Sequence, residues 1–231
     1  MTTTYVLVHG GFVDGTYWAE TAALLEKEGH RVLVADLPST GTDPAELGDL
    51  YADATAVRAM LDTVDGPVVL VGHSYGGMVI TEVADHPAIV RRVYLSAFWP
   101  AGGQSLLDLI GGELPPSGWI VPVADGAAVR VTDDIDVARE TLAADVDPAR
   151  FAAFHAGFLL SSASAMGVAG TAPERAHPVT YVVLGRDNAI PPEAQEAMAA
   201  RADDVQRIPR SSHSPMLADP EGLASLLARL A

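Results

Sequence analysis

Residues 68–77 read VVLVGHSYGG, four aliphatic residues that run into a serine fenced by Gly72, Gly76 and Gly77. A serine hydroxyl is a poor nucleophile until a neighbouring base takes its proton and hydrogen-bond donors receive the negative charge that follows. G-x-S-x-G between a buried strand and a helix is the pattern in which a tight turn lifts the hydroxyl above a sheet. A side chain two positions to either side would strike the neighbouring strand and helix, which is the physical use of Gly72 and Gly76. The helix that starts at Tyr75 would aim its first N–H groups at the same point, where they favour developing negative charge. The plainer reading is a helix-capping serine in a glycine turn. Nucleophilic chemistry therefore requires a base, an acid to orient it, and oxyanion donors elsewhere in the chain.

Seven histidines are available. His9 ends the first strand, His73 sits inside the glycine turn, His30 ends a helix, His155 lies in an irregular stretch, and His86 and His177 each precede proline. His213, in RSSHSPML, falls between the last strand pattern and the last helix, where a loop returns to the top of a sheet. It is the candidate base. In the order Ser…Asp…His, Asp187 of VTYVVLGRDNAIPP follows a strand and is the candidate acid, although Asp in such a place also starts turns or caps helices. Glu174 and Asp145 compete by position in the chain, but neither follows a sheet strand. One oxyanion donor would be the N–H of Tyr75, and the glycine loop after the first strand, VLVHGGF, would supply the other. No G-x-G-x-x-G occurs, which disfavours a dinucleotide site.

The elements that must position these residues follow from hydrophobic periodicity. Short valine-rich runs at 4–8, 31–35, 67–71, 92–96, 179–185 and 204–208 read as strands buried on both faces. Helical patterns at 18–29, 47–64, 75–84, 191–202 and 220–230 alternate with them. Such alternation predicts an α/β fold, a mainly parallel sheet with helices on both faces. The rhythm breaks over 101–176, which holds helices near 135–144 and 148–160 and reads as a small helical cap inserted into a core made of 1–100 and 177–231. AGG at 101–103 and AHP at 176–178 are the expected hinges.

Composition narrows the classes. The 231 residues are 49% hydrophobic and 19% charged, which is globular usage. There is no cysteine, so thiolate catalysis, disulfides and cysteine-ligated metals are excluded. A formal net charge of −16 argues against nucleic-acid and anionic-membrane partners and leaves a small molecule as the expected one. The N-terminal MTTTYVLVHGG reads directly as a strand without a secretory pattern, and no apolar run approaches the ~20 residues of a membrane span, so a cytoplasmic location is expected.

Taken together, VLVHGG (6–11), Trp18, LLEKEGHRVLVADLPSTGTD (24–43), VVLVGHSYGGMV (68–79), YLSAFWP (94–100), YVVLGRDNAIPPEAQ (181–195) and HSPML (213–217) resemble the α/β-hydrolase superfamily. More narrowly, they resemble the branch of plant methylesterases, hydroxynitrile lyases and related bacterial esterases. The resemblance implies an α/β-hydrolase fold, a nucleophile, acid and base at Ser74, Asp187 and His213, and oxyanion N–H donors at Gly11 and Tyr75. Lyases of this branch carry a threonine where this chain has Gly10 and a lysine where it has Ser214, so the chain sides with the esterases. The segment FAAFHAGFLLSSASAMG departs from the family pattern.

The expected activity is therefore hydrolysis of a small neutral carboxylic ester through an acyl-enzyme on Ser74, with no cofactor and no metal. Phe12, Trp99, Trp119, Phe154, Phe158 and Met216 are the expected pocket walls, each of which ordinary core packing would equally explain. The rival readings are lactone, amide or carbon–carbon hydrolysis or a biosynthetic step on the same triad, a hydroxynitrile lyase, and a ligand-binding receptor on a hydrolase shell.

Overall fold

The computed structural model describes residues 3–230. Its strands, in chain order, are β1 (Thr4–Val8), β2 (Arg31–Ala35), β3 (Thr40–Gly41), β4 (Val68–Ser74), β5 (Ile89–Ala97), β6 (Ile120–Val123), β7 (Ala128–Val131), β8 (Leu160–Ser162), β9 (Val179–Leu184) and β10 (Asp204–Ile208). The helices are α1 (Ala19–Lys27), α2 (Leu50–Leu61), α3 (Gly76–Glu82), α4 (Leu106–Leu109), α5 (Ile135–Leu142), α6 (Pro148–His155), α7 (Ala163–Gly167), α8 (Pro192–Ala199), α9 (Pro215–Ala218) and α10 (Pro220–Ala228).

The six valine-rich runs form one sheet in the order β10-β9-β5-β4-β1-β2, with every pair parallel. Period-two alternation sends their side chains to two cores. Val6 and Val8 of β1 and Val68 and Leu70 of β4 pack on the face that holds α2 and α3. Tyr5, Leu7, Val69 and Val71 pack on the other face, against Trp18 and Leu25 by α1 and Leu223 and Leu227 of α10. Each such buried aliphatic contributes about 1.5–3 kcal/mol, which is why the inner runs need no polar face. The edge strands β2 and β10, expected to be buried on both faces, are only partly buried because each has a neighbour on one side alone. From β1 the chain moves outward to β2 and then returns to β4 on the other side of β1. The carboxyl ends of β1 and β4 thus form the switch point at which open α/β sheets leave a crevice.

Residues 101–176 carry α5 and α6, near the two helices that the sequence predicts, and also α4, α7 and a second sheet that it does not. That sheet is antiparallel, in the order β3-β8-β7-β6. Its edge strand β3 belongs to the loop after β2, so residues outside 101–176 contribute a strand to that sheet: Thr40 pairs with Ser161 and Gly41 with Leu160. The helix expected to run to 160 stops at His155, and the chain then turns into β8. Among the described residues no helix is long and apolar enough to cross a membrane.

Candidate active site

Ser74 is the last residue of β4 and has φ 53°, a left-handed conformation that costs an L-residue about 1 kcal/mol or more. Close backbone packing holds it there. A Cβ on Gly72 would stand 2.7 Å from the Gly76 carbonyl oxygen, and one on Gly76 would stand 2.6 Å from that of His9. A Cβ on Gly77 would collide with the Phe98 carbonyl oxygen. The Phe98 N–H in turn donates to the Ser74 carbonyl at 3.0 Å. Gly10 is similarly restricted, because a Cβ there would lie 2.9 Å from the Ser74 Cβ. The end of β1 and the turn after β4 thus fit only as glycine backbone.

His213 lies in the loop between β10 and α9. Its Nδ1 is 2.7 Å from Asp187 Oδ2, and the two side chains are 5% and 0% exposed. Asp187 Oδ2 also accepts from Ser96 Oγ at 2.5 Å, while Oδ1 accepts the N–H groups of Ala189 at 2.8 Å and Ile190 at 2.9 Å. Asp187 therefore both organises its own turn and orients the histidine. With Nδ1 donating, Nε2 of His213 is the edge that bears the lone pair. Ser74 and His213 line one cavity. No hydrogen bond among the described residues joins the Ser74 hydroxyl to the ring, and such bonds commonly tighten only with substrate in place.

Neighbouring groups fix the base from several sides. His73 donates from Nε2 to the His213 carbonyl oxygen at 2.9 Å, and the two rings lie 4.5 Å apart. Burial, then the adjacent His213, holds the His73 imidazole well below its ordinary pKa and hence neutral. Asp145, a rival for the acid by chain position, instead binds the backbone N–H of Ser212 at 2.9 Å and also its hydroxyl. Ser214, at the position of the lyase lysine, accepts from Tyr17 Oη at 2.7 Å and donates to the Leu142 carbonyl at 2.6 Å.

The cavity is apolar for most of its wall. Of the six predicted wall residues, Phe12, Trp119, Phe154 and Phe158 line it. Phe12 meets Trp119 edge-on at 5.7 Å, and Phe154 meets Phe158 at 5.0 Å. Trp99 and Met216 do not line it. Trp99 stacks on Tyr94 at 4.7 Å, on the side of the sheet occupied by α8, and Met216 turns beneath the His213 loop into the core shared by α1 and α10. Gly11 and Tyr75, the predicted oxyanion donors, both line the cavity.

Several site residues carry no sequence signal of their own. Ser161 of β8 lines the cavity and accepts the Phe12 N–H at 2.7 Å, beside Gly11. Ser96 is one partner of Asp187. Asp53 of α2 accepts from Tyr75 Oη at 2.7 Å and from the Ser39 N–H at 2.8 Å. Burial still raises the Asp53 carboxyl pKa against the effect of those donors.

A strained serine at the end of the strand beside β1, on a sheet of this order, defines an α/β hydrolase. The chain belongs to the alpha/beta hydrolase family, whose profile matches residues 5–226. A carbendazim-hydrolysing esterase of Nocardioides sp. (strain SG-4G) is 44% identical over 118 residues, which are 48% of this chain and 49% of that protein, so the match spans about half of the relative's length. Methylesterase 1 of Arabidopsis thaliana is 25% identical over 250 residues, covering 98% of this chain and 95% of its own. The crystal structure of a pyrethroid hydrolase from Sphingobium faniae JZ-2 superposes with a TM-score of 0.83 at 25% identity, covering 100% of this chain and 97% of that one.

Proposed function

We propose that the chain is a serine hydrolase that cleaves a small neutral carboxylic ester through an acyl-enzyme on Ser74. The observation that carries this reading is the shared cavity: Ser74, held at φ 53°, and His213, anchored through Nδ1 to Asp187 at 2.7 Å, face the same space. No Lys, Arg, Asp or Glu stands among the residues that line it, which supports a neutral substrate. Three of the similar proteins, the carbendazim-hydrolysing esterase, methylesterase 1 and the pyrethroid hydrolase, carry names that point the same way.

In the proposed reaction Ser74 Oγ attacks the ester carbonyl carbon and its proton passes to His213 Nε2. The carbonyl electron pair moves onto oxygen, where the N–H groups of Gly11 and Tyr75 receive it, each worth about 3 kcal/mol in the transition state. The intermediate collapses, and the departing alkoxide takes the proton from Nε2. Water then attacks the acyl carbon and gives a proton to His213, which returns it to Ser74 as the acid leaves. Ester and water become acid and alcohol, and no metal or organic cofactor enters any step. Asp187 steadies the imidazolium without taking its proton. Residues 101–176 act as the cap, since Trp119, Phe154, Phe158 and Ser161 reach the cavity from that segment. A cytoplasmic location is proposed on the sequence reading alone, and cell fractionation tests it.

The test is hydrolysis of p-nitrophenyl acetate and butyrate by the wild type beside Ser74→Ala. Turnover that falls by up to ~10⁶ in the variant supports the assignment. A wild type that hydrolyses neither ester, or a variant that matches it, removes the reading.

A further inference from the structure

A second recess lies where the two crossings between the parallel sheet and residues 101–176 meet. The first crossing supplies Trp99 and Gly102, the second Ala172 and Arg175, and Arg92 of β5 and Arg201 after α8 complete it. Three guanidinium groups thus converge in a chain whose net charge is −16.

Their counter-charges do not balance. Arg175 is paired, 2.7 Å from Asp203. Arg92 is only 2% exposed, yet its partners are neutral: His177 Nε2 at 3.0 Å, the Ile80 carbonyl at 3.2 Å and Tyr94 Oη at 2.8 Å. Arg201 donates to the Trp99 carbonyl and lies 4.4 Å over the Trp99 ring. Neither Arg92 nor Arg201 takes part in an ion pair among the described residues. Of the acids nearby, Glu174 is exposed on the rim, and Glu82 is occupied by the N–H and hydroxyl of Thr171. His177, pushed down to about 4 by burial and then by Arg92 and Arg175, is neutral near pH 7 and supplies no charge. A buried cation without a counter-ion is costly, and such groups are normally paired. Nη2 of Arg92, and Nε and Nη1 of Arg201, remain without a partner among the described residues' hydrogen bonds. The backbone here is strained as well, with Ala172 at φ 45°.

We propose that this recess binds a small oxyanion, a carboxylate or phosphate group, held between Arg92 and Arg201 and touching both crossings. The guanidinium fork matches the paired oxygens of either group. A bound anion would tie the departing and returning chains together and so stabilise one position of the cap.

The test uses the whole chain, titrated with sodium acetate, sodium phosphate and sodium chloride at constant ionic strength, and read by tryptophan fluorescence and thermal unfolding. Acetate, phosphate or both should give a saturable change and a higher Tm that chloride does not reproduce. The arm that saturates identifies the source of the oxygens. Arg201→Gln, at an exposed position, should weaken that binding at least tenfold and leave ester turnover unchanged. Trp99→Phe should abolish the fluorescence response and keep the thermal one. A chloride response equal to the others, an Arg201→Gln titration like the wild type, or fluorescence that survives Trp99→Phe would each overturn the site, the last because it places the anion near another tryptophan. The binding readouts do not use turnover, so the result stands apart from the fate of the hydrolase reading.

Discussion

Tyr75 donates its phenol to the buried carboxylate of Asp53 across 2.7 Å, so the residue that follows Ser74 is fastened to helix α2. The backbone N–H of Tyr75 is a proposed oxyanion donor, and its side chain adds a tie to α2 beside the close backbone packing of the turn. The same carboxylate holds the Ser39 N–H, which brings the loop after β2 to the cavity edge.

Removing one end of this contact leaves a buried group unmatched. Tyr75→Phe should cost about 1.5–3 kcal/mol of stability, the range for a hydrogen bond to a charged group. In urea unfolding, a double-mutant cycle of Tyr75→Phe with Asp53→Asn should return a coupling above about 0.5 kcal/mol. A coupling near zero would mean that the two side chains do not meet in solution.

Ser161 should matter to rate more than to binding. Its Oγ is the acceptor that fixes the Phe12 N–H, next to the Gly11 peptide. With Ser161→Ala the loop loses that anchor, and kcat should fall about tenfold, or ~1.4 kcal/mol, with a smaller change in KM. Ser161→Thr keeps the oxygen and should recover most of the rate. Equal steady-state parameters for the alanine variant and the wild type would assign Ser161 to packing alone.

Glycine at position 76 is required by space. In Gly76→Ala the new methyl would sit 2.6 Å from the His9 carbonyl and 2.7 Å from that of Val8, and backbone of a central strand cannot yield as a side chain can. The expected loss is about 3 kcal/mol or more, or no soluble protein. Gly167→Ala is the control: its methyl would meet only Leu107 at 3.8 Å, and it should unfold within about 1 kcal/mol of the wild type.

Acid should destabilise the fold through its buried histidines. His177 falls from 6.5 to about 4, while burial lowers His9 and His73 as well. Between these values the unfolded chain binds more protons than the native one, so stability rises with pH. The contribution of His177 is fully present above about pH 6.5 and is lost as pH falls toward 4. His177→Gln should flatten part of that slope in unfolding measured from pH 4 to 7, the rest belonging to His9 and His73. An unchanged slope would show that His177 titrates normally.

The parallel sheet was legible because its inner strands, buried on both faces for most of their length, are forced into valine-rich runs. All six runs became strands, although the edge strands β2 and β10 are only partly buried. The second sheet left no such trace. β3 is two residues of a PSTGTDP loop, β6 is an edge strand that tolerates Pro122, and β8 has only three residues. These strands exist because partners are present, and pattern in the chain does not report partners. The same limit applies at the site. Ser74, Asp187 and His213 could be picked out by their places at strand ends, whereas Ser96, Asp53 and Ser161 are ordinary residues until folding brings them near. Trp99 and Met216 show the converse: sequence reports that a residue is apolar, and the turn geometry after β5 and before α9 decides which core receives it.

The pairing of Thr40 with Ser161 has a practical consequence for anyone exchanging residues 101–176 between this chain and a relative. A graft cut only at the two crossings would carry away β8 and leave its partner β3 behind, together with the Ser39 carbonyl that receives the Ser162 N–H at 2.9 Å. The transplantable unit is discontinuous: residues 101–176 plus the short loop around residues 39–41, moved as a matched pair.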